Sequence, residues 1–256
     1  MSEYEIIVPS RGRSGIMSTH LFFPQAIYAI DKRELSQYQL IYPTLQFDCH
    51  DGFDSMPKLR NWILSRFGGD KPIVMIDDDL VGIRSDVHNK PKEYRDPDFM
   101  NSIVSNMVNL LIDLNAGVGC WSRIASPTYF RAFNPFNTVS IMGGAYCINS
   151  KRKYIFDEMF KVIDDIDFSM QALQHDRFVI CDNRFYWRFN KTQSLRGGCQ
   201  MIRTSKNDEA DIQRLQRKWG KYIKVKSGVK LNSGSCSKIR RSISACVTRS
   251  STLAIL

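Results

Sequence analysis

The sequence lacks the cysteine and histidine patterns of a disulfide-stapled or zinc-binding protein. Its seven cysteines, at positions 49, 120, 147, 181, 199, 236 and 246, are odd in number, and no two stand at C-x-x-C spacing. Disulfide frameworks and zinc sites ordinarily show such pairing. We therefore expect free thiols in a cytoplasmic protein. The four histidines show no metal spacing either, and we interpret His50, in a polar segment, as a loop histidine in preference to a substrate contact.

The chain also lacks an uninterrupted hydrophobic run. The most apolar stretch, Ile103–Trp121, contains Asn106, Asn109, Asp113 and Asn115. A membrane-spanning helix needs about 20 consecutive apolar residues, so we expect no membrane partner. The first five residues are acidic and lead directly into a strand-like run, which is unlike a secretory signal peptide.

Acidic residues are nearly missing from the end of the chain, and the charge is therefore uneven. The formal net charge is +10 over 256 residues. Residues 202–256 hold 13 Lys or Arg against 3 Asp or Glu, whereas residues 1–201 hold 23 of each. Because Lys and Arg bind phosphates without regard to sequence, the basic end indicates a polyanion partner; a solvated tail is the alternative. We divide the chain into a catalytic domain of residues 1–201 and a basic C-terminal helix and irregular tail of residues 202–256.

The remaining composition is that of an ordinary globular chain, with 43% hydrophobic and 24% charged residues. Short apolar runs typical of strands alternate along the chain with segments whose apolar residues recur at helical spacing. This alternation predicts an α/β fold with a mostly parallel central sheet flanked by helices. The predicted strands are 5–8, 38–42, 73–76, 118–121, 139–148 and 178–181. The predicted helices are 20–30, 98–114, 163–173, 208–219 and one that begins at 55–57. Ligands bind beyond the carboxyl ends of such strands, so we expect the chemistry after Val8, Ile76 and Ile148.

Three adjacent carboxylates, Asp77, Asp78 and Asp79, follow the apolar run at 73–76. They repel one another and destabilise the fold unless a cation lies among them. Mg²⁺ and Mn²⁺ bind one or two carboxylates together with phosphate oxygens of a substrate. The triplet therefore indicates a divalent-cation site, and a solvated turn is the alternative.

A second acidic cluster, Asp164, Asp165 and Asp167, opens the predicted helix at 163–173. Acidic side chains favour the positive end of a helix dipole, and this alone explains the cluster without any function. The functional interpretation is a general base directed into the cleft.

Basic side chains follow the first predicted strand and occupy the helix that begins at 55–57. Arg11 and Arg13, and Lys58, Arg60 and Asn61, suit contacts to phosphates or to a base. A solvated surface is the alternative for both groups. Neither a G-x-G-x-x-G sequence nor a Walker loop is present, which excludes the usual dinucleotide and P-loop sites.

In this order, the segments resemble a GT-A glycosyltransferase. Pro9-Ser10-Arg11 is similar to the loop after the first strand, Arg60-Asn61 to a helical Arg-Asn pair and Asp77-Asp78-Asp79 to the Asp-x-Asp motif. Gly143-Gly144-Ala145 resembles the acceptor-side strand, and Asp164-Asp165-Ile166-Asp167 the acidic turn. More narrowly, Ile-Val-Pro-Ser-Arg-Gly-Arg, Arg-Asn-Trp-Ile and Ile-Asp-Asp-Asp-Leu resemble the phage branch of glycosyltransferases associated with TET/JBP dioxygenases. The order and spacing match from residue 4 to about residue 190.

The resemblance implies a Rossmann-like GT-A fold and transfer of a sugar from a nucleotide sugar, expected to be a UDP-sugar, to a hydroxyl acceptor. The expected acceptor is a 5-hydroxymethyl pyrimidine, of cytosine or of uracil, in phage DNA within the host cytoplasm. Mn²⁺ or Mg²⁺ is the expected metal, with Asp79 and Asp77 as its ligands. Asp165, and next Asp164, is the expected base if the reaction inverts. Many GT-A enzymes add a metal-binding histidine after the acidic turn, whereas this chain has only His175, within the matching helix.

The remaining contacts that the resemblance and the charge pattern imply fall into three groups. The nucleotide-sugar-binding residues are Pro9, Arg11, Arg13, Lys58, Arg60, Asn61, Asp77 and Asp78. The acceptor-binding residues are Gly143, Gly144 and Asp167. The nucleic-acid-binding residues are Lys218, Lys221, Lys224, Lys226, Arg240 and Arg241.

Two other functions stay open at this point. A nucleotidyltransferase, or a glycosyltransferase acting on polysaccharide or protein, would share the nucleotide-binding half. The basic glycine loop of nucleotidyltransferases is matched only in part, by Arg-Gly-Arg-Ser-Gly at 11–15. A nucleic-acid-binding module without catalysis is disfavoured by the intact acids Asp77, Asp79 and Asp165.

Overall fold

The computed structural model of the chain describes residues 4–85, 91–122, 135–152, 154–190, 195–199 and 202–223. Within these residues, ten strands form one sheet. The strands are β1 (Glu5–Pro9), β2 (Ile27–Asp31), β3 (Gln46–His50), β4 (Ile73–Ile76), β5 (Leu80–Ser85), β6 (Lys92–Tyr94), β7 (Val118–Ser122), β8 (Phe136–Asn137), β9 (Ala145–Ile148) and β10 (Ile180–Phe189). The α-helices are α1 (Leu35–Ile41), α2 (Met56–Phe67), α3 (Pro97–Asp113), α4 (Asp164–His175) and α5 (Ser205–Trp219). Short 3₁₀ turns occupy Thr19–Leu21, Lys32–Glu34 and Gly220–Tyr222.

The sheet has a parallel half and a mixed half. Its order is β3-β2-β1-β4-β9-β7-β10-β5-β6, and β8 pairs with β10. Strands β3, β2, β1 and β4 pair in parallel, as do β7 and β10. Three strands, β5, β8 and β9, run against the other seven of the described sheet. This confirms the predicted α/β fold with mostly parallel strands, because the antiparallel members are confined to one half.

Alternation along the central strands builds a hydrophobic core on each face of the sheet. Ile7 and Met75 pack on one face, where Phe168 of α4 is fully buried. The neighbouring Val8 and Val74 pack on the other face, against α3. Since side chains of a strand point alternately to opposite faces, these apolar runs fit only a sheet covered on both sides.

Helix α3 is the longest described helix, and its sequence defines both ends. Asp96 caps it by accepting a hydrogen bond from the Phe99 N–H at 2.8 Å, and Pro97 occupies the first turn. The helix buries Met100, Ile103, Val104, Met107, Val108 and Leu111, which follow helical spacing. Asn115, with φ of +48°, lies in the left-handed turn just beyond the helix. The prediction of a helix at 98–114 is confirmed.

The segment at 38–42 is helical, so its prediction as a strand was wrong. Tyr38 is fully buried whereas Leu40 is 83% exposed. A strand would have placed these two side chains on the same face, but a helix separates them. The strand lies further along, at β3, which the sequence pattern did not reveal.

The segment at 20–30 is not a helix, contrary to the prediction. Thr19–Leu21 forms a 3₁₀ turn, and the chain enters β2 at Ile27. Pro24 lies between them and has no N–H to donate to a helix, which accounts for the break.

The described C-terminal helix belongs to the same core as the body of the chain. Ile212 and Leu215 of α5 are buried in the cluster that contains Phe168. Asp211, which is 1% exposed, accepts the backbone N–H groups of Lys161 and Val162 at 2.8 and 2.7 Å. The helix predicted within residues 202–256 therefore packs into the same core as the elements before residue 201. Residues 224–256 lie outside the described residues.

None of the helices in the described ranges combines the length and the apolar character that a membrane crossing requires.

Removing the Asp211 carboxylate should destabilise the whole described fold. Asp211→Ala leaves two buried N–H groups without their acceptor, and each such group costs about 1–3 kcal/mol. We expect the free energy of unfolding, measured with guanidinium chloride, to fall by about 3 kcal/mol. Glu209→Ala, on an exposed position of the same helix, is the control and should change it by less than about 0.5 kcal/mol. Equal effects of the two variants would contradict a shared core.

Candidate active site

A cleft of about 570 Å³ lies where β1 and β4 end. Most of the side chains singled out in the sequence line it. They are Pro9, Arg11, Arg13, Arg60, Asp77, Asp78, Asp79, Gly143, Gly144, Asp164 and Asp165. The loops after Val8 and Ile76 therefore meet here, as expected, but the loop after Ile148 does not. Strand β9 is antiparallel to β4, so its beginning, next to Gly144, faces the cleft.

The backbone of the acidic turn is held by the 3₁₀ turn at Thr19–Leu21. The Thr19 hydroxyl donates to the Asp77 carbonyl at 2.6 Å and accepts the Leu80 N–H at 3.1 Å. The Ser18 and Thr19 N–H groups both donate to the Asp78 carbonyl, at 3.0 and 3.2 Å. These bonds fix the direction in which the three carboxylates leave the sheet.

Asp78 is tied to the loop after β1. Its carboxylate accepts the Ser10 hydroxyl at 2.5 Å and the Arg13 guanidinium. Arg13 also reaches Asp79 at 3.1 Å. Tyr38 completes the network, since its hydroxyl lies 2.9 Å from that of Ser10 and accepts the Arg13 N–H at 3.0 Å. Asp78 therefore orders the first loop, while Asp77 and Asp79 are less heavily bonded.

Burial raises the pKa of each carboxyl in the acidic turn. The pKa of Asp77 rises to about 7, with burial the main cause, Arg60 opposing it and Asp79 adding to it. Burial likewise raises the pKa of Asp78 to about 6 against the opposing effect of Arg13. The pKa of Asp79 is raised too, again chiefly by burial. Three carboxyls with raised pKa values around one bridging arginine form a site that gains stability from an added cation.

Arg60 and Asp164 form a buried ion pair beside this turn. The guanidinium donates to the carboxylate at 2.6 Å, and their side chains are 10% and 3% exposed. The guanidinium also lies over the rings of Phe156 and Tyr146, 5.3 and 5.7 Å from their centroids. Burial is the largest single effect and opposes the charge on Arg60, but Asp164 and the other acidic groups nearby together outweigh it, so the pKa of Arg60 is raised. The pair thus joins α2 to α4 across the floor of the cleft.

The first turn of α4 also carries Asp165 into the lining of the cleft. The Ser169 hydroxyl donates to the Asp165 carbonyl at 2.8 Å and accepts the Met142 N–H at 3.0 Å. This bridge connects α4 to the segment that precedes Gly143. The acidic turn of α4 and the glycine segment are therefore positioned as one unit.

Gly144 leaves the space that Asp77 and Phe189 occupy. A Cβ atom at this position would lie 2.7 Å from Asp77 Oδ2 and 2.8 Å from the Phe189 ring. The Gly144 carbonyl accepts the Asp77 N–H at 2.7 Å. A side chain here would displace the acidic turn, which explains the need for glycine at this position.

Two of the predicted nucleotide contacts do not line the cleft. Lys58 pairs with Asp54 at 2.8 Å. Asn61 binds both backbone groups of Phe156, donating to its carbonyl at 2.8 Å and accepting its N–H at 2.9 Å. Only Arg60 of this trio lines the cleft, because Lys58 and Asn61 are three residues apart and share a different face of the helix.

Asp167, expected to bind the acceptor, instead anchors the C-terminal helix. It is fully buried and accepts the Trp219 indole N–H at 2.8 Å and the Lys218 ammonium at 2.9 Å. Lys218 therefore pairs with an acid within the fold, and its expected role in nucleic-acid binding stays a prediction. Lys221 lies over the Tyr222 ring at 5.4 Å. The predicted Lys224, Lys226, Arg240 and Arg241 lie outside the described residues.

The cleft also contains residues that the sequence did not single out. His50 closes β3 instead of lying in a loop, and it lines the cleft together with Phe53 and Ser55. Residues 195–199 cross the first loop, where the Gly198 N–H donates to the Arg11 carbonyl at 2.8 Å. Gly197 lies so close to Gly12 that a Cβ would stand 2.4 Å from the Gly12 carbonyl oxygen. In residues 195–199, the adjacent glycines Gly197 and Gly198 were the only feature of the sequence that could have indicated this crossing.

Several solved structures resemble this fold at low sequence identity. Glucosyl-3-phosphoglycerate synthase from Mycobacterium tuberculosis, in complex with Mn²⁺, UDP-glucose and phosphoglyceric acid, matches at 10% identity, 86% of this chain, 82% of that chain and a TM-score of 0.50. A mycobacterial protein matches at 9% identity, 94% and 83% coverage and a TM-score of 0.50. S. aureus TarS matches at 11% identity, over 72% of this chain and 60% of its own, with a TM-score of 0.46. At such low identities the structural likeness supports the GT-A glycosyltransferase fold and says nothing further about this chain.

None of the curated protein sequences matches the chain. A family model does match it, described as TET-associated glycosyltransferase, over residues 4–198. This span contains β1 to β10 and every described residue of the cleft except Cys199, Ile202 and Arg203. The chain therefore belongs to the TET-associated glycosyltransferase family.

Proposed function

We propose that this glycosyltransferase moves a sugar from a UDP-sugar to the hydroxyl of a 5-hydroxymethyl pyrimidine in DNA. The observation that carries the proposal is the shared cleft. Asp77, Asp78 and Asp79 line one part of it and Asp165 lines another, on a separate element. One acidic group thus suits the donor diphosphate with its metal, and the other suits the acceptor proton.

A divalent cation fits the acidic turn as a partner of substrate. Among the described residues, no three or more His, Cys, Asp or Glu side chains are arranged so that they alone could hold a metal ion. A closed protein site is therefore absent from them, and Mg²⁺ or Mn²⁺ would rest on Asp79 and Asp77 together with diphosphate oxygens. When bound, the cation supplies neutralisation of the charge that develops on the leaving diphosphate. The glucosyl-3-phosphoglycerate synthase structure with Mn²⁺ and UDP-glucose is consistent with this assignment.

The protein residues then divide the work of transfer. Arg13 holds Asp78 and Asp79 in place, and Arg11, from the same loop after β1, lines the cleft. The acceptor oxygen attacks the anomeric carbon, its proton passes to the Asp165 carboxylate, and the bond from the anomeric carbon to the diphosphate oxygen breaks. Asp164 suits the role of base less well than Asp165, because its carboxylate pairs with Arg60. Its part is to position the first turn of α4.

The DNA acceptor rests on the family likeness and on charge. The family is named for its association with TET enzymes, and the basic excess of the sequence lies beyond residue 201. Mass spectrometry of nucleosides tests this directly: hydroxymethylated DNA is incubated with the protein, Mn²⁺ and a panel of nucleotide sugars. A hexose or pentose added to the modified nucleoside supports the proposal. A modified polysaccharide with unmodified DNA would contradict it.

Loss of the Asp79 carboxylate should abolish metal-dependent transfer. Asp79→Ala removes a proposed ligand, and we expect the rate of UDP-sugar hydrolysis with Mn²⁺ to fall by at least about 100-fold. Calorimetry should also show weaker UDP binding in Mn²⁺ but little change in EDTA. Asp70→Ala, at an exposed position before β4, is the control. Full activity of Asp79→Ala would remove Asp79 from the metal site.

Loss of the Asp165 charge should affect chemistry without affecting donor binding. Asp165→Asn keeps the shape of the side chain but removes the base, and a general base contributes about 10²–10⁴-fold. We expect transfer to fall within this range while UDP affinity changes by less than about twofold. A collapse of UDP binding would instead identify Asp165 as a donor contact.

Deletion of residues 225–256 should weaken DNA binding while donor hydrolysis persists. The deleted segment contains six Lys or Arg and no acid, whereas the cleft lies upstream. Each lost phosphate contact removes about 0.9 from the slope of log affinity against log salt. A full-length variant with those six residues changed to Gln separates charge from length. An unchanged salt slope in both variants would show that the tail makes no phosphate contacts.

A further inference from the structure

Two buried polar groups that the proposed reaction does not use lie in one part of the cleft. The His50 imidazole is 5% exposed and Ser55 is 3% exposed. His50 Nε2 and Ser55 Oγ find no hydrogen-bond partner in the described part of the chain. Both residues line the cleft. Buried polar atoms are nearly always paired in folded proteins, so two unpaired ones on residues that line the cleft indicate a ligand that pairs with them.

The hydrogen bond on the other ring nitrogen defines what His50 offers. The Gly52 N–H donates to His50 Nδ1 at 3.0 Å, so Nδ1 carries no proton. The proton of the neutral ring then lies on Nε2, which makes this atom a donor and not an acceptor. Burial lowers the pKa of His50, which favours the same neutral form. The rings of Phe53 and Trp62, 4.9 and 5.5 Å away, restrict rotation of the imidazole.

Ser55 is available to a ligand because it does not cap its own helix. It occupies the N-cap position of α2, yet its side chain makes no capping hydrogen bond. A serine at this position ordinarily accepts an N–H from the first turn. Here the second helical residue is Pro57, which has no N–H to donate. The Ser55 hydroxyl can therefore donate to or accept from a group in the cleft.

The surroundings of these two atoms fit a planar ring. Pro9, Phe53, Met56 and Leu59 line the cleft beside them and are largely apolar. Strand β3 lies three positions from β4 in the sheet. At about 4.8 Å per strand, His50 is separated from the acidic turn by about 14 Å, a span comparable with an extended nucleoside diphosphate.

We propose that His50 and Ser55 bind the base of the nucleotide donor and select uracil over cytosine. The inference rests on the proposed function, since it assigns the base end of the same donor. Uracil presents its C4 carbonyl oxygen next to the N3–H, and these pair with the His50 donor and the Ser55 oxygen. Cytosine presents an amine at C4 in place of that carbonyl, so the amine and the His50 N–H, both donors, would face each other. A site built around such a fixed donor rejects the mismatched ligand.

Calorimetric titration of the full chain with UDP and with CDP, both in Mn²⁺, tests the assignment. We expect the wild-type protein to bind UDP at least about tenfold more tightly than CDP. His50→Phe keeps an aromatic ring between Phe53 and Trp62 but removes Nε2–H, and it should lower UDP affinity about tenfold with little change for CDP. Ser55→Ala should lower UDP affinity by a smaller factor. His175→Phe, the same change at an exposed position outside the cleft lining, should leave both affinities unchanged.

The possible results separate this inference from the proposed function. If the wild type binds UDP but does not prefer it, or if His50→Phe and Ser55→Ala keep the preference, the base assignment is wrong while the donor site stands. If the wild type binds neither nucleotide in Mn²⁺, the proposed function fails and the base assignment with it. If thermal melting shows that His50→Phe is unfolded, His50→Gln replaces it. The glutamine amide retains a hydrogen-bond donor, so His50→Gln should keep part of the preference for UDP over CDP. Ser55→Ala should weaken that preference.

Discussion

Burial of three adjacent carboxyls at the end of β4 is the constraint on which the site depends. Asp77, Asp78 and Asp79 leave a strand that is buried along its whole length, and burial raises the pKa of each. Arg13 compensates for only part of their charge. The surrounding loops are therefore arranged to hold these acids where a cation and a diphosphate can complete the balance. The loop after β1, the 3₁₀ turn at Thr19–Leu21 and the Gly144 backbone all bond to this one turn.

A second buried charge system connects the cleft to the C-terminal helix. Asp164 pairs with Arg60 inside the cleft, and Asp167, one turn along α4, binds Lys218 and Trp219 outside it. Asp211 of α5 in turn holds the backbone just before α4. The first turn of α4, which carries Asp165, is thus fixed from both sides. Such buried pairs are costly to break, because removal of one partner leaves an uncompensated charge.

The two halves of the sheet divide the proposed substrates between them. The parallel half, from β3 to β4, ends in His50, Arg11 and the acidic turn, which suit a nucleotide. The mixed half begins with β9, whose antiparallel course brings Gly143 and Gly144 to the same edge. Reversal of this strand is what places an acceptor-side segment opposite the donor. A fully parallel sheet would have sent it to the far side of the molecule.

The sequence by itself determined the α/β class, the core strands β1, β4 and β7 and the location of the acidic turn. An apolar run that ends in three aspartates is a local pattern with few structural solutions, and α3 carries its cap and its spacing within its own residues. Local patterns could not separate strand from helix around Tyr38, because five residues are too short to distinguish the two periods.

Tertiary structure alone decided which charged side chains share the cleft. Lys58, Arg60 and Asn61 are neighbours in sequence, but only Arg60 lines the cleft, where it pairs with Asp164 of a distant helix. Asp167 resembles Asp165 in sequence, yet the docking of α5 turns it into an anchor. The sequence favoured a loop role for His50 over a substrate contact and suggested no function for Ser55, because only the fold shows that His50 Nε2 and Ser55 Oγ are buried without a partner among the described residues. Such roles depend on contacts between distant residues, which sequence spacing does not encode.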